Sequence, residues 1–210
     1  MLPRLFVIGD SISIQYGPYL EALLAGKLSY DRKRDTGNEC ALADLNIAGG
    51  ANGGDSSMVL AYLRHRRATD PILADYLLLN CGLHDIKAHP TNHALQIPLD
   101  QYRKNLAAIL DEARAAHLRV LWVRTTPVID EIHNTRVFDF HRHAAGVAAY
   151  NEAADTIMRA DGIPILDLHT FSQSLLPAGF IDHVHYSEEA RAKQAAFLAR
   201  EILRHTQPHP

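Results

Sequence analysis

Five short runs of aliphatic and β-branched residues punctuate the chain: "RLFVIG" (Arg4 to Gly9), "LADLNIAG" (Leu42 to Gly49), "DYLLLNCG" (Asp75 to Gly82), "RVLWVRTTP" (Arg119 to Pro127) and "GIPILDL" (Gly162 to Leu168). Their apolar positions are continuous rather than alternating, the pattern of strands covered on both faces. Segments of helical period lie between them. "DQYRKNLAAILDEARAAH" puts Tyr102, Leu106, Ile109, Leu110 and Ala113 on one face, with Asp100 as its expected N-cap. "DSSMVLAYLRHRR" opens on Asp55 and closes on basic residues, and Ser187 is followed by two glutamates at the head of the last segment, polarities that suit the helix dipole. Strands alternating with helices predict an α/β fold, a three-layer α/β/α sandwich around a mostly parallel five-stranded sheet. The stretch Ile129 to Arg142, "IDEIHNTRVFDFHR", has no clear period and reads as a long surface excursion.

Composition narrows the class. With 210 residues, 47% of them hydrophobic, the chain is long enough for one sizeable core and too short to require two, so residues 1–210 are expected to form a single domain. A net charge of -3 offers no basic excess for a nucleic-acid partner. The one dense charge cluster, "DRKRD" from Asp31 to Asp35, mixes both signs and reads as a solvated loop. Cys40 and Cys81 form neither a disulfide framework nor a CxxC clip, which fits a reducing compartment. "LFVI" runs directly into "GDS" without the long apolar region of a signal peptide or membrane span, so a cytoplasmic protein without a membrane partner is expected.

Ligands of such sheets bind beyond the carboxyl ends of the strands. "GDS" after the first run, "GLHD" after the third and "TTP" after the fourth therefore belong on one rim. Ser11 can be the nucleophile there or simply the N-cap of the next helix. A nucleophilic serine needs a base and a group to orient that base. "DHVH" offers both, with Asp182 three residues before His185, although an Asp can also cap the last helix and a lone histidine is unremarkable among thirteen.

Taken together, "GDSIS", the glycines of "ANGGDSS", "GLHD" and "DHVH" resemble, in order and spacing, the four blocks of the SGNH or GDSL hydrolase superfamily. "GDSISIQYGPYL", "NCGLHDIK", "IPLDQYRKNL" and "RTTPV" are similar to a bacterial branch often associated with sugar esters. The resemblance implies a flavodoxin-like strand order and a serine esterase acting on a small acyl group, acetyl in that branch, on a small-molecule or oligosaccharide ester, with no cofactor. It implies Ser11, Asp182 and His185 as catalytic residues. It also implies an oxyanion hole of the Ser11 N–H, the Gly54 N–H, with Gly53 the neighbouring alternative, and a block-three side chain. The family carries Asn at that last position, and this chain carries His84. An imidazole N–H can donate as an amide does, but its protonation state then matters, so the acid limb of activity is expected to be steeper than for one base. Tyr16 is expected at the substrate. Competing readings are a metal site from His84, Asp85, His141, His143, His183 and His185, a Cys81 nucleophile, a catalytically silent sugar-binding protein of the same fold, and a lipid or thioester hydrolase.

Overall fold

The first apolar run forms β1 (Arg4–Ile8), and the chain turns through Gly9 and Asp10 directly into α1 (Ser11–Leu24). In the computed structural model, which describes residues 1–34, 45 and 47–206, the succeeding elements are β2 (Ser29–Arg32), α2 (Ser56–Thr69), β3 (Tyr76–Leu79), α3 (Leu99–Ala115), β4 (Arg119–Val123), α4 (Asp130–His133), α5 (Ala144–Ala160), β5 (Ile165–Leu166), α6 (Leu168–Gln173) and α7 (Glu188–Thr206). The strands pair in the order β2-β1-β3-β4-β5, every neighbour parallel. Helix α1 packs on α7, which also holds α6, while α2 packs on α3 and α3 on α5. All four residues of β3 are buried, as expected of a central strand covered on both faces. One core cluster runs from Leu5 to Ile202 and includes Trp122 and Cys81.

The register fixes the rim. Ile8 pairs with Leu79, and Leu79 with Trp122, so the segments after β1, β3 and β4 leave the sheet side by side. Asn80 stitches them together: its N–H donates to the Ile8 carbonyl (2.9 Å) and its side-chain amide to the Val123 carbonyl (2.8 Å).

Several local expectations need correction. Half of the run read as the second strand, Leu42 to Gly49, lies outside the described residues, its described part (Leu45 and Ile47 to Gly49) forms no strand, and the edge strand is Ser29–Arg32 instead. Asp31 and Arg32 of the charge cluster therefore belong to a strand, not a loop. Asp100 does not cap α3; Pro98 occupies that position, and Asp100 in the first turn pairs with Arg103. The stretch from Ile129 to Arg142 runs mostly over the surface, but His133 and Arg142 within it are fully buried and pin it to the interior. Among the described residues, no helix is long and apolar enough to cross a membrane.

Candidate active site

Asp10, not Ser11, caps α1. Its Oδ1 accepts the Ile12 N–H (2.9 Å) and its carbonyl accepts the Ser13 hydroxyl (2.6 Å). Ser11 is thus the first residue of the helix, released from a capping role and held on the rim with only 3% of its surface exposed. Burial raises the pKa of Asp10 against its backbone hydrogen bonds and the charge of Arg142.

The packing of α7 on α1 brings the other end of the chain to this serine. In the turn preceding α7, Asp182 Oδ1 accepts the N–H groups of Val184 (2.8 Å) and His185 (2.7 Å). Its Oδ2 faces His185 Nδ1 at 2.7 Å, and His185 Nε2 lies 2.9 Å from Ser11 Oγ. Partial burial works against the Asp182 carboxylate, yet the hydrogen bonds from the His185 ring and from two backbone amides hold its pKa well below the usual range. A carboxylate that stays ionised can only accept, so Nδ1 carries the imidazole proton. The Nε2 lone pair is left facing the serine hydroxyl, the arrangement that general-base activation of a nucleophile requires.

Gly54 has φ +70°, a left-handed conformation in which a Cβ would meet Met58 Sδ at 2.5 Å. Its N–H donates to Asn52 Oδ1 (2.9 Å), while that of Gly53 donates to the Gly9 carbonyl (2.8 Å). Both block-two donors are therefore engaged. The Gly53 bond ties this loop to the end of β1, whereas the Gly54 bond goes to the side chain of Asn52, which is buried and donates in turn to the Leu45 carbonyl (3.2 Å).

His84 is 4% exposed, and its ring nitrogens have no hydrogen-bond partner among the described residues. Burial first, then the charges of Arg142 and Lys87, hold its pKa well below the ordinary histidine value. The ring is neutral near pH 7, so a second titration steepening the acid limb is no longer expected. Asp85, its neighbour, turns away: both carboxylate oxygens accept the Ser56 N–H at the start of α2 (2.9 and 3.1 Å), and burial pushes its pKa to about 7. Ser56 Oγ in turn accepts from Asn105 of α3 (2.8 Å). The block-two and block-three loops are thereby locked to one helix start.

Other expected participants lie elsewhere. Tyr16, 2% exposed, is a member of the core cluster, where burial raises its hydroxyl pKa. Cys81 is fully buried, and burial pushes its thiol pKa up, which disfavours a thiolate nucleophile. The histidines and acid of the metal reading do not converge, since Asp85 serves Ser56 and His143 Nδ1 faces Asp130 at 2.8 Å. Among the described residues, the cluster with metal-ligand spacing is Asp182, His183 and His185, and two of these are bonded to each other. Arg142, which the sequence marks only as the end of an aperiodic stretch, lies beneath block three: its Nε donates to the Leu83 carbonyl (2.7 Å) and its Nη1 to His133 Nε2 (3.0 Å).

Solved structures share this architecture. A lipase/acylhydrolase from Enterococcus faecalis superposes with a TM-score of 0.71 at 15% identity, covering 100% of both chains. The acetyl xylan esterase AlAXEase gives 0.67 at 13% identity over 97% of this chain and 100% of its own. The psychrotrophic esterase EstA from a Pseudoalteromonas species gives 0.61 at 13% over 96% and 97%. No curated protein matches the sequence. The model of the GDSL-like lipase/acylhydrolase family, however, matches residues 7–193, nearly the whole fold and every block of the rim, and the chain belongs to that family of serine ester hydrolases.

Proposed function

We propose that the protein hydrolyses small acyl esters, acetyl groups on a carbohydrate in particular, through an acyl-enzyme on Ser11. The observation that carries the reading is the hydrogen-bonded chain from Asp182 through His185 to Ser11 Oγ. His185 Nε2 takes the hydroxyl proton as Ser11 attacks the ester carbonyl, and Asp182 holds the resulting imidazolium. The developing oxyanion is met by the N–H groups of Ser11 and Gly54, the latter released from Asn52, and by the neutral His84 ring. The imidazolium then protonates the leaving alcohol, and water, activated by the same base, cleaves the acyl-enzyme. The scheme needs no cofactor.

A small acyl group is supported by the setting of the nucleophile: Ser11, His84 and His185 are all buried, so a carbonyl carrying a long chain would have to enter a nearly closed rim. The architectural likeness to an acetyl xylan esterase points the same way. The test is hydrolysis of p-nitrophenyl acetate, butyrate and octanoate, together with acetate release from acetylated xylo-oligosaccharides, by the wild type and Ser11→Ala, each with and without EDTA. Acetate-selective, EDTA-insensitive activity that vanishes in Ser11→Ala is the expected result. Activity surviving in Ser11→Ala, or a preference for octanoate, would reject the reading.

A further inference from the structure

Arg142 is fully buried, yet neither of its side-chain hydrogen bonds goes to an acid: one is to the Leu83 carbonyl and the other to His133. The guanidinium also lies 4.8 Å from the centroid of the Phe140 ring. Burying a cation against neutral partners is costly, and a hydrophobic side chain of similar volume is generally the cheaper occupant of such a position. The placement therefore calls for a role.

The surroundings supply one. Because a guanidinium only donates, His133 Nε2 must accept, and its Nδ1 proton goes to Asn134 Oδ1 at 3.1 Å. Asn134 also grips the Arg142 backbone from both sides, accepting its N–H and donating to its carbonyl, each at 3.0 Å. Beyond His133 the contacts continue edge-on to His183 (4.7 Å between ring centroids) and from His183 to His185 (5.9 Å). One buried bracket thus runs from the carbonyl immediately before His84 to the base beside Ser11. Its charge acts on Asp10 beneath Ser11 and on His84, His133 and His183, favouring ionised Asp10 and neutral rings. The other groups acting on His84 are Lys87 and His185, while the carboxylate of Asp85 is directed to Ser56.

We propose that Arg142 is a positioning residue for ester hydrolysis, fixing the Leu83 carbonyl so that the His84 ring faces the substrate oxygen and standing as a permanent positive charge beneath the site. The proposal rests on the esterase reading given above. It separates two contributions, the fork that holds the loop and the charge that adds to burial in disfavouring a protonated His84.

Arg142→Gln retains a donor but removes the charge, and Arg142→Lys retains the charge but removes the fork. With p-nitrophenyl acetate, Arg142→Gln is expected to lose about 10- to 100-fold in kcat with KM within about threefold of wild type, somewhat less than deletion of a direct oxyanion donor. It should also steepen its acid limb, because the His84 ionisation moves upward once the Arg142 charge is gone, while burial, the larger cause, still holds it below the ordinary histidine value. Arg142→Lys should lose less and keep the one-proton limb. A folded Arg142→Gln with wild-type kcat, or with lower kcat and an unaltered limb, would overturn the proposal, because a merely structural residue would move the melting temperature and not the limb. NMR titration of histidine-labelled wild type gives a readout independent of the variants' folding. His84, assigned by comparison with His84→Gln, is expected to titrate well below the ordinary histidine pKa, and titration at that ordinary value, about 6.5, would equally overturn it. Undiminished activity in Ser11→Ala would instead sink the esterase reading itself.

Discussion

Replacing Asp182 with Asn tests the chemistry with almost no change in shape. The Oδ1 atom accepts two backbone N–H groups, from Val184 and His185, and these two donors fix the carbonyl oxygen of an asparagine in the same place. The new amide nitrogen must then occupy the Oδ2 position, 2.7 Å from His185 Nδ1. Two donors cannot face one another, so the imidazole changes tautomer: Nδ1 accepts, and Nε2 carries a proton toward Ser11 Oγ, 2.9 Å away. The serine then has no base. An Asp-to-Asn change of this kind in a Ser-His-Asp system lowers kcat by about 10,000-fold, equivalent to about 5.4 kcal/mol of transition-state stabilisation. The assay is kcat for p-nitrophenyl acetate from pH 5 to 9, alongside thermal unfolding to show that the fold persists. A folded Asp182→Asn enzyme within tenfold of the wild-type kcat would refute the assignment of His185 as base and the tautomer argument with it.

His84→Ala is expected to reduce kcat by about 100- to 1,000-fold, the cost of one lost oxyanion donor, while His84→Asn, which restores an N–H donor, should recover most of the loss; equal activity of all three enzymes would remove His84 from the mechanism. In the wild type, log kcat/KM should fall with unit slope on the acid side as His185 takes up a single proton, because the buried His84 beside Arg142 stays neutral; a slope of two would contradict this. The buried Asp85 carboxyl, pushed to about 7 from an ordinary value near 3.8, favours the folded state while protonated. This contribution, on the order of 4 kcal/mol, is fully present below about pH 4 and lost as pH rises through 7. Urea unfolding at pH 5 and 8 should show a pH-dependent component that Asp85→Asn lacks, and an unchanged pH dependence in that variant would argue against the shift.

The parts of this fold that were legible in the sequence are those whose burial is two-sided or whose chemistry is local. The runs leading into Gly9, Gly82 and Pro127 announced β1, β3 and β4 because central parallel strands admit hardly any polar residue. By contrast "SYDR" of β2 pairs only with β1 and alternates exposed with half-buried positions, so nothing in its letters distinguishes an edge strand from a loop. Ser11, Asp182 and His185 stood out as short motifs at element boundaries. Arg142 did not, because a polar, aperiodic stretch reads as exposed, and its burial is made tolerable by partners that the chain order does not reveal, the Leu83 carbonyl 59 residues away among them. Within the same stretch Phe138 is 77% exposed while the arginine is buried.

Two histidines in one small site can serve different ends only if their surroundings separate them. His185 has a carboxylate at Nδ1 and a hydroxyl at Nε2, the setting of a group that must gain and lose a proton. His84 stands among cations, with no acid bonded to its ring. Yet the next residue in the chain is Asp85, and a carboxylate turned onto His84 would create a second Asp-His pair within the same rim. Such a pair would favour the protonated ring, make the oxyanion donor titrate alongside the base, and place a competing charge beside His185. The Ser56 N–H prevents this by holding both oxygens of Asp85 at the start of α2. One interaction therefore fixes the block-three loop to the block-two loop and withholds the carboxylate from His84. On the proposed mechanism, a histidine can serve where the family carries an asparagine because the aspartate beside it is engaged elsewhere.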